Sequence, residues 1–499
     1  MQKGVTLTAQ QASHNHMKRN IPIVYLIFLS SVAAIGGLLF GYDTAVISGT
    51  IGQVTRQFEL DAIEQGWYVG CALIGSIIGV AMAGPLSDRF GRKKVMILSA
   101  VLFSVSALGC AVSESLTELV LYRILGGMGI GMVSIVSPMY ISEVALSGYR
   151  GSLVSLYQLA ITVGFLGAYL MNFQLLEFSR TTAFVFEPLL SKIFHEEAWR
   201  GMLGMEFLPA FLFLLVLFFI PESPRWLAIN NQISQAEKVF SGIYGSSALA
   251  KRKVEDVRRS TSAGIKSSQW ALLKNPRVLK PVMIGVAIAI LGQFMGVNAV
   301  LYYGPSIFEQ SGLSDGDALF YQVMVGLVNV LTTVLALIII DKVGRKKLVY
   351  FGVSGMIITL LLISFYFLKG ETLGWPSQML LVLFLTYIFA TAISISAVIF
   401  VLLSEMYPNK IRGVAMSIAG FSLWVGTYLI GQLTPWFLEN LSPSGTFLLF
   451  ALMCLPYMWI IWKLIPETAG MSLEAIEAYW MGEKARRETY DKRSNTIET

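Results

Sequence analysis

Long apolar runs separated by short polar breaks fill most of the chain. Crossing a bilayer as a helix takes about 20 apolar residues at ~1.5 Å rise each. Twelve runs qualify: 22–48, 66–86, 94–113, 119–141, 152–173, 201–220, 280–303, 319–340, 347–367, 378–403, 413–436 and 446–465. The pattern predicts an all-α integral membrane protein of twelve transmembrane helices. The first run begins near Ile21, is too long for a secretory signal core and lacks a small-residue cleavage site, so it is expected to stay as the first span.

Composition agrees. The chain of 499 residues is 55% hydrophobic and 14% charged, against roughly a quarter charged in soluble domains, and its mean hydropathy is +0.65. The three cysteines, Cys71, Cys110 and Cys454, sit in apolar runs without metal-ligand spacing and read as packing residues. His14, His16 and His195 all lie outside the apolar runs, so no imidazole is expected to carry protons within the membrane.

Charge sets the expected orientation. With both termini on one side, that side holds 31 of the 37 Lys and Arg residues. The other side holds Arg56, Arg180, Lys192, Arg200 and Lys369, and Arg123 falls inside a run. Positive loops mark the cytoplasm, so both ends are expected to be cytosolic. The expected organisation is a cytosolic tail over 1–20, a six-helix bundle over 21–221, a cytosolic and partly helical connector over 222–279, a second six-helix bundle over 280–465 and a cytosolic tail over 466–499. The basic stretch Lys251–Lys253 reads as a solvated face beside anionic lipid rather than a nucleic-acid patch. After Pro466, "MSLEAIEAYW" reads as an amphipathic helix.

The two halves repeat each other. "SDRFGRKK" (87–94) follows the second run and "IDKVGRKK" (340–347) the eighth; "SEVALSGYRG" (142–151) follows the fourth and "SEMYPNKIRG" (404–413) the tenth; "PESPRWL" (221–227) follows the sixth and "PETAGMSL" (466–473) the twelfth. Three motifs in one order at matching places indicate a duplicated six-helix unit. Each D-x-x-G-R-K-K is expected to form a turn of two to three residues. Topology signalling explains its lysines but not its acid, nor the Glu143/Arg150 and Glu405/Arg412 combinations. These residues, with Asp88, Arg89, Arg92, Glu222, Asp341 and Arg345, are expected to form ion pairs that join the halves at the cytosolic side in one state and release them in another. "GGMGIGM" (126–132) has a G-x-G spacing but lies inside an apolar run, where small residues let helices approach closely.

Together "GGLLFGYDTAVISG", "SDRFGRKK", "YRILGGMGIG", "PESPRWL", "GQFMGVNAVLYYGP", "DKVGRKK" and "PETAGMSLEAIE" resemble the sugar porter family of the major facilitator superfamily, from about residue 25 to 480. The look is similar to the bacterial D-xylose–proton symporters. The resemblance implies two six-helix bundles around a central cavity opened alternately to either side. It also implies sugar contacts at Gln158, Gln293, Asn298 and Asn329, with Phe40, Trp424, Tyr302 and Phe400 among the cavity positions. Amides donate and accept, which suits hydroxyls; the other reading of an intramembrane amide is a bond between helices. The chain departs from those symporters at Gly292, Phe165 and Leu423, where they carry Gln, and at Phe400, where they carry Trp. Its pocket is expected to be less polar than theirs.

An ionisable group inside a membrane helix marks function by default, and Asp43, Arg123 and Glu206 are three. The resemblance implies that Asp43 carries the proton, with Arg123 beside it and Glu206 nearby. A static Asp43–Arg123 pair joining two helices is the other reading. The expected function is a proton-coupled monosaccharide symporter; the alternatives are an equilibrative facilitator and a membrane sugar sensor. A sensor is expected to need a long cytosolic output domain, and the tail after Glu467 is short. No nucleophile–base pair or metal cluster suggests an enzyme, and no cofactor or nucleic-acid partner is expected. The partners are a monosaccharide, a proton and the lipid bilayer. The chain is expected to act as a monomer in the cytoplasmic (inner) membrane.

Overall fold

The computed structural model describes residues 23–146, 148–181, 188–263, 273, 275–407, 411–467, 476, 479 and 480; the side chains at 260–263, 341, 342, 397, 400, 401 and 404 fall outside that description. The N-terminal tail, part of the connector, most of the helix expected after Pro466, and the side chains of Phe400 and Asp341 therefore lie outside the described residues.

Among the described residues, twelve helices are long and apolar enough to cross a membrane, as the hydrophobic pattern predicts. They are α1 (Ile23–Phe58), α2 (Ala62–Phe90), α3 (Arg92–Val112), α4 (Leu116–Val144), α5 (Arg150–Thr181), α6 (Ala198–Leu217), α7 (Pro276–Glu309), α8 (Asp315–Ile340), α9 (Arg345–Lys369), α10 (Ser377–Ser396), α11 (Arg412–Asn440) and α12 (Ser442–Leu464). Several outrun their apolar segments. The helix α1 continues ten residues past the expected end at 48, because its polar last turns hydrogen-bond internally wherever the bilayer ends. Start signals are local. Asp61 and Glu64 form a reciprocal cap at the head of α2, with Glu64 N donating to Asp61 Oδ1 at 2.8 Å and Asp61 N to Glu64 Oε2 at 3.2 Å.

The turn between α2 and α3 is tighter than the expected two or three residues. Gly91 alone ends one helix and begins the next, at φ 99° and ψ 162°, and Gly344 repeats this between α8 and α9 at φ 93° and ψ 152°. A side chain is strained at such a φ. A Cβ on Gly91 would also run into the Glu222 carboxylate.

The helices group as two bundles of six, in which α1 packs on α4 and α5, α2 and α3 on α4, α7 on α11 and α12, and α9 on α10 and α12. The "GGMGIGM" glycines serve the close approach: a Cβ on Gly127 would enter the Ala72 carbonyl of α2. Between the bundles run α1–α7, α2–α11 and α5–α8. The short helices Pro224–Ile229, Ile233–Tyr244 and Ser247–Ala263 bury a small core of their own, including Leu227, Phe240 and Val254, and join the two bundles in sequence.

Two membrane helices are irregular in ways the periodicity does not announce. The helix α7 breaks between Phe294 and Val297, where Gly296 adopts φ 93°. Met295 O at the break accepts from Tyr387 Oη at 2.8 Å, and beyond it Leu301 O, left without a helical donor because Pro305 has no N–H, accepts from Tyr169 Oη at 2.9 Å, with Gln322 Nε2 at 3.3 Å from Val300 O. A broken helix survives in lipid only when its freed backbone groups are satisfied this way. In α10 a π-helical turn covers Ala392–Ser396 before the helix resumes over Ala397–Met406.

Candidate functional site

The break in α7 places Gln293 before it and Asn298 after it, facing each other. Asn298 Nδ2 donates to Gln293 Oε1 at 2.7 Å. Thr427 on α11 brings its hydroxyl to 3.1 Å from the same oxygen. Both amides are half-buried. Phe40 of α1 and Trp424 of α11 meet across the two halves with ring centroids 5.6 Å apart. Tyr302 is buried at the α11 side of α7, near Gly431. Gln158 on α5 is half-buried and Asn329 on α8 is buried, and neither makes a side-chain hydrogen bond with another described residue. The structure thus brings together Gln293 with Asn298 and Phe40 with Trp424, while Gln158 and Asn329 sit on the facing pair α5 and α8. The departures Gly292, Phe165 and Leu423 fall on α7, α5 and α11; Phe165 is buried against Tyr169, with centroids 6.2 Å apart.

One turn beyond Phe40, Asp43 is wholly buried. Arg123 of α4 donates its Nη1 to Asp43 Oδ1, and their side chains are 3% and 0% exposed respectively. Glu206 is 2% exposed. It stands at the interruption of α6 between Gly204 and Phe207, within electrostatic reach of both other groups. Among the described residues Asp43 Oδ2, Arg123 Nε and Glu206 Oε1 lack hydrogen-bond partners. Arginine stays protonated. One carboxylate neutralises it, and the second carboxyl is neutral only with a proton on it, so the triad holds one proton when uncharged.

The turns bearing the repeated motifs mark a basic end of the molecule. There Arg92 grips Glu143 bidentately, Nε to Oε2 at 3.0 Å and Nη2 to Oε1 at 3.1 Å, with side-chain exposures of 8% and 6%. Its Nη1 also reaches Asp88 at 3.1 Å, but Asp88 is largely exposed. Glu222 caps the start of α3, accepting from Arg92 N at 2.9 Å and Lys93 N at 3.1 Å. Burial pushes the Glu222 carboxyl above its ordinary range, and the backbone N–H groups of Ser223, Lys93 and Arg92 draw it back. In the second half Arg345 Nη2 meets Glu405 Oε1 at 3.0 Å, and Glu467 accepts from Arg345 N at 3.2 Å and Lys346 N at 3.1 Å. Glu143 therefore faces Arg92, and Glu405 faces Arg345. Arg150 is exposed, Arg89 lies over the Phe90 ring, and Arg412 donates to Tyr407 O at 3.2 Å.

These pairs lie within one half or the other. The polar contacts that described residues make between halves gather away from the basic end. Asp315 at the head of α8 faces Arg56 at 3.5 Å and Arg180 at 3.9 Å, and Gln432 Nε2 donates to Ile63 O at 2.9 Å. Sequence reasoning missed Thr427, Glu467 and Asp315. Glu467 was signalled by the "PES"/"PET" repeat, since it does for α9 what Glu222 does for α3.

Comparison with known proteins identifies the family and the fold. The model of the family described as "Sugar (and other) transporter" matches residues 29–480. The arabinose-proton symporter of Bacillus subtilis (strain 168) is 36% identical over 473 residues, covering 93% of this chain and 98% of that protein. The D-xylose-proton symporter of Escherichia coli (strain K12) is 36% identical over 488 residues, covering 91% and 96%. Among solved structures, the inward open conformation of the E. coli xylose transporter XylE superposes with TM-score 0.78 at 35% identity, covering 91% of this chain and 100% of that one. The same transporter bound to 6-bromo-6-deoxy-D-glucose gives 0.74 at 36%, covering 92% and 99%. Family model, relatives and architecture coincide over nearly the whole chain, which belongs to the sugar (and other) transporter family.

Proposed function

We propose that the chain is a proton-coupled monosaccharide symporter working by alternating access, with a pentose or hexose of the D-xylose kind as cargo. One observation carries the coupling: the buried Asp43–Arg123–Glu206 triad lies one turn along α1 from Phe40, at the edge of the candidate sugar cavity. An equilibrative facilitator needs no such group, and buried ionisable side chains in a membrane are expensive. The names of relatives, among them proton symporters for arabinose, D-xylose and galactose, support the same reading.

In this reading Gln158, Gln293, Asn298 and Asn329 hydrogen-bond sugar hydroxyls, while Phe40, Trp424, Tyr302 and Phe400 offer apolar faces to the ring. The basic end, both termini and the connector over 222–279 face the cytoplasm across the inner membrane, and the monomer is the working unit. The bundles over 21–221 and 280–465 rock about the cavity. In this reading the contacts away from the basic end correspond to an inward-facing state, with Arg92–Glu143 and Arg345–Glu405 holding each half rather than bridging them. Separating Asp43 from Arg123 leaves a carboxylate in an apolar wall, which takes up a proton; restoring the pair expels it. A proton crossing 100 mV releases about 2.3 kcal/mol, enough for roughly a fifty-fold sugar gradient.

The test is uptake of a labelled monosaccharide panel into proteoliposomes, with and without an imposed pH gradient. Accumulation driven by an inward proton gradient is expected. Uptake that equilibrates identically with and without the gradient assigns the facilitator instead.

A further inference from the structure

We propose that Thr427 is a positioning residue for sugar recognition: with Asn298 it locks Gln293 so that the amide presents N–H, not oxygen, to the sugar. The inference deepens the symporter reading and rests on it. Gln293 is wedged between two elements. Its Oε1 receives Asn298 Nδ2 at 2.7 Å from beyond the α7 break and faces the Thr427 hydroxyl at 3.1 Å on α11. A Cβ on Gly426 would sit only 3.1 Å from Gln293 Cγ, so α11 closes against the side chain there as well. Thr427 is 5% exposed and has one proton, shared between Gln293 Oε1 and the Leu423 carbonyl at 2.9 Å.

With both donors on Oε1, the amide nitrogen is what remains for a ligand. Among the described residues Gln293 Nε2 has no protein acceptor, and an amide nitrogen can only donate. Gln293 therefore selects a sugar oxygen acting as acceptor. The lock spans the α7 break and reaches α11, so its geometry depends on those elements staying together. The opposite arrangement has both amides turned over, with Gln293 Nε2 donating to Thr427 and Asn298 and its oxygen facing the sugar. Heavy-atom positions are nearly the same, but the chemistry presented is inverted.

Equilibrium binding to the full chain separates the two. The probes are D-xylose, D-glucose and matched deoxy and deoxyfluoro glucoses; fluorine accepts a weak hydrogen bond but cannot donate. The contacted ring position is the one whose analogue preference disappears in Gln293→Ala. In the parent, the deoxyfluoro sugar at that position is expected to bind more tightly than the deoxy sugar. Thr427→Val keeps shape and removes the donor; it should weaken sugar binding about three- to tenfold and narrow that difference. Thr427→Ser should restore both, with thermal unfolding of all three variants tracking the parent. Unchanged affinity and analogue preference in Thr427→Val overturns the positioning role alone. A deoxyfluoro sugar binding no better than the deoxy sugar overturns donor presentation. A parent that binds none of these sugars overturns the symporter reading with it.

Discussion

At the scale of single residues, candidate polar groups were visible in the sequence and their hydrogen-bond partners were not. Amides in apolar helices stand out because unsatisfied polar groups are costly in lipid, but type and position alone do not separate Gln158, Gln293, Asn298 and Asn329, which the resemblance named, from Asn172, Gln322 and Gln432, which bond backbone carbonyls of other helices. Thr427 had no signal of either kind. Threonines are ordinary in membrane helices and commonly bond their own i−4 carbonyl, so nothing in the sequence showed that Thr427 shares its proton between Leu423 O and Gln293 Oε1. The same limit applies at the basic end. Glu143 and Arg150 recur as a spacing, yet Glu143 binds Arg92, because Glu222 fixes the backbone of Arg92 at the head of α3 and aims its guanidinium at α4. For the cavity, Gln158→Ala and Gln293→Ala should each weaken sugar binding about tenfold or more, equivalent to ~1.4 kcal/mol per lost set of hydrogen bonds. Isothermal titration of purified variants checks this; wild-type affinity in both would move the pocket elsewhere.

At the scale of elements, twelve spans followed from hydropathy because burial in lipid leaves a helix little choice. Their interruptions did not follow. At the break near Gly296 the Met295 carbonyl is held by Tyr387 of α10, a contact that nothing in the local sequence encodes, and the π turn at Ala392–Ser396 likewise has no local signal. The α2–α3 turn is the reverse case, for its motif was visible but its compactness was not. Gly91 carries the whole reversal at positive φ, with Glu222 packed where a Cβ would be. Gly91→Ala should therefore cost about 1–3 kcal/mol and lower the unfolding temperature in detergent. Gly84→Ala in the preceding helix meets open space and is the matched control. Equal unfolding temperatures for the two variants would mean that the turn relaxes without strain.

At the scale of the whole molecule, the duplication read from three repeated motifs became two matched halves, and the ion pairs divide the work between ends. Those within each half stiffen it; those around Asp315 tie the halves together away from the basic end. The Asp315 pairs are exposed, so each contributes little, about 0–1 kcal/mol. Asp315→Asn should shift the balance toward opening at that end by a few-fold at most. A single cysteine at Ser48, which lines the crevice beneath Arg56 and Asp315, should label correspondingly faster, and high salt should bring the parent toward the variant. Identical labelling rates would leave Asp315 without a part in closure. In the proposed reading, coupling is the further property of the whole, because it would need the sugar cavity, the triad and the rocking of halves at once. Asp43→Asn keeps the size of the side chain and mimics a permanently protonated carboxyl. The variant should still bind sugar, since the amides on α5 and α7 are untouched. It should still exchange labelled for unlabelled sugar, since the neutral form is the one that switches while loaded. It should not concentrate sugar under a pH gradient, because no proton is released inside. Arg123 loses its partner, so thermal unfolding must accompany the transport measurement. If Asp43→Asn accumulates sugar as well as the parent does, Asp43 is a structural partner of Arg123 and the proton travels another way.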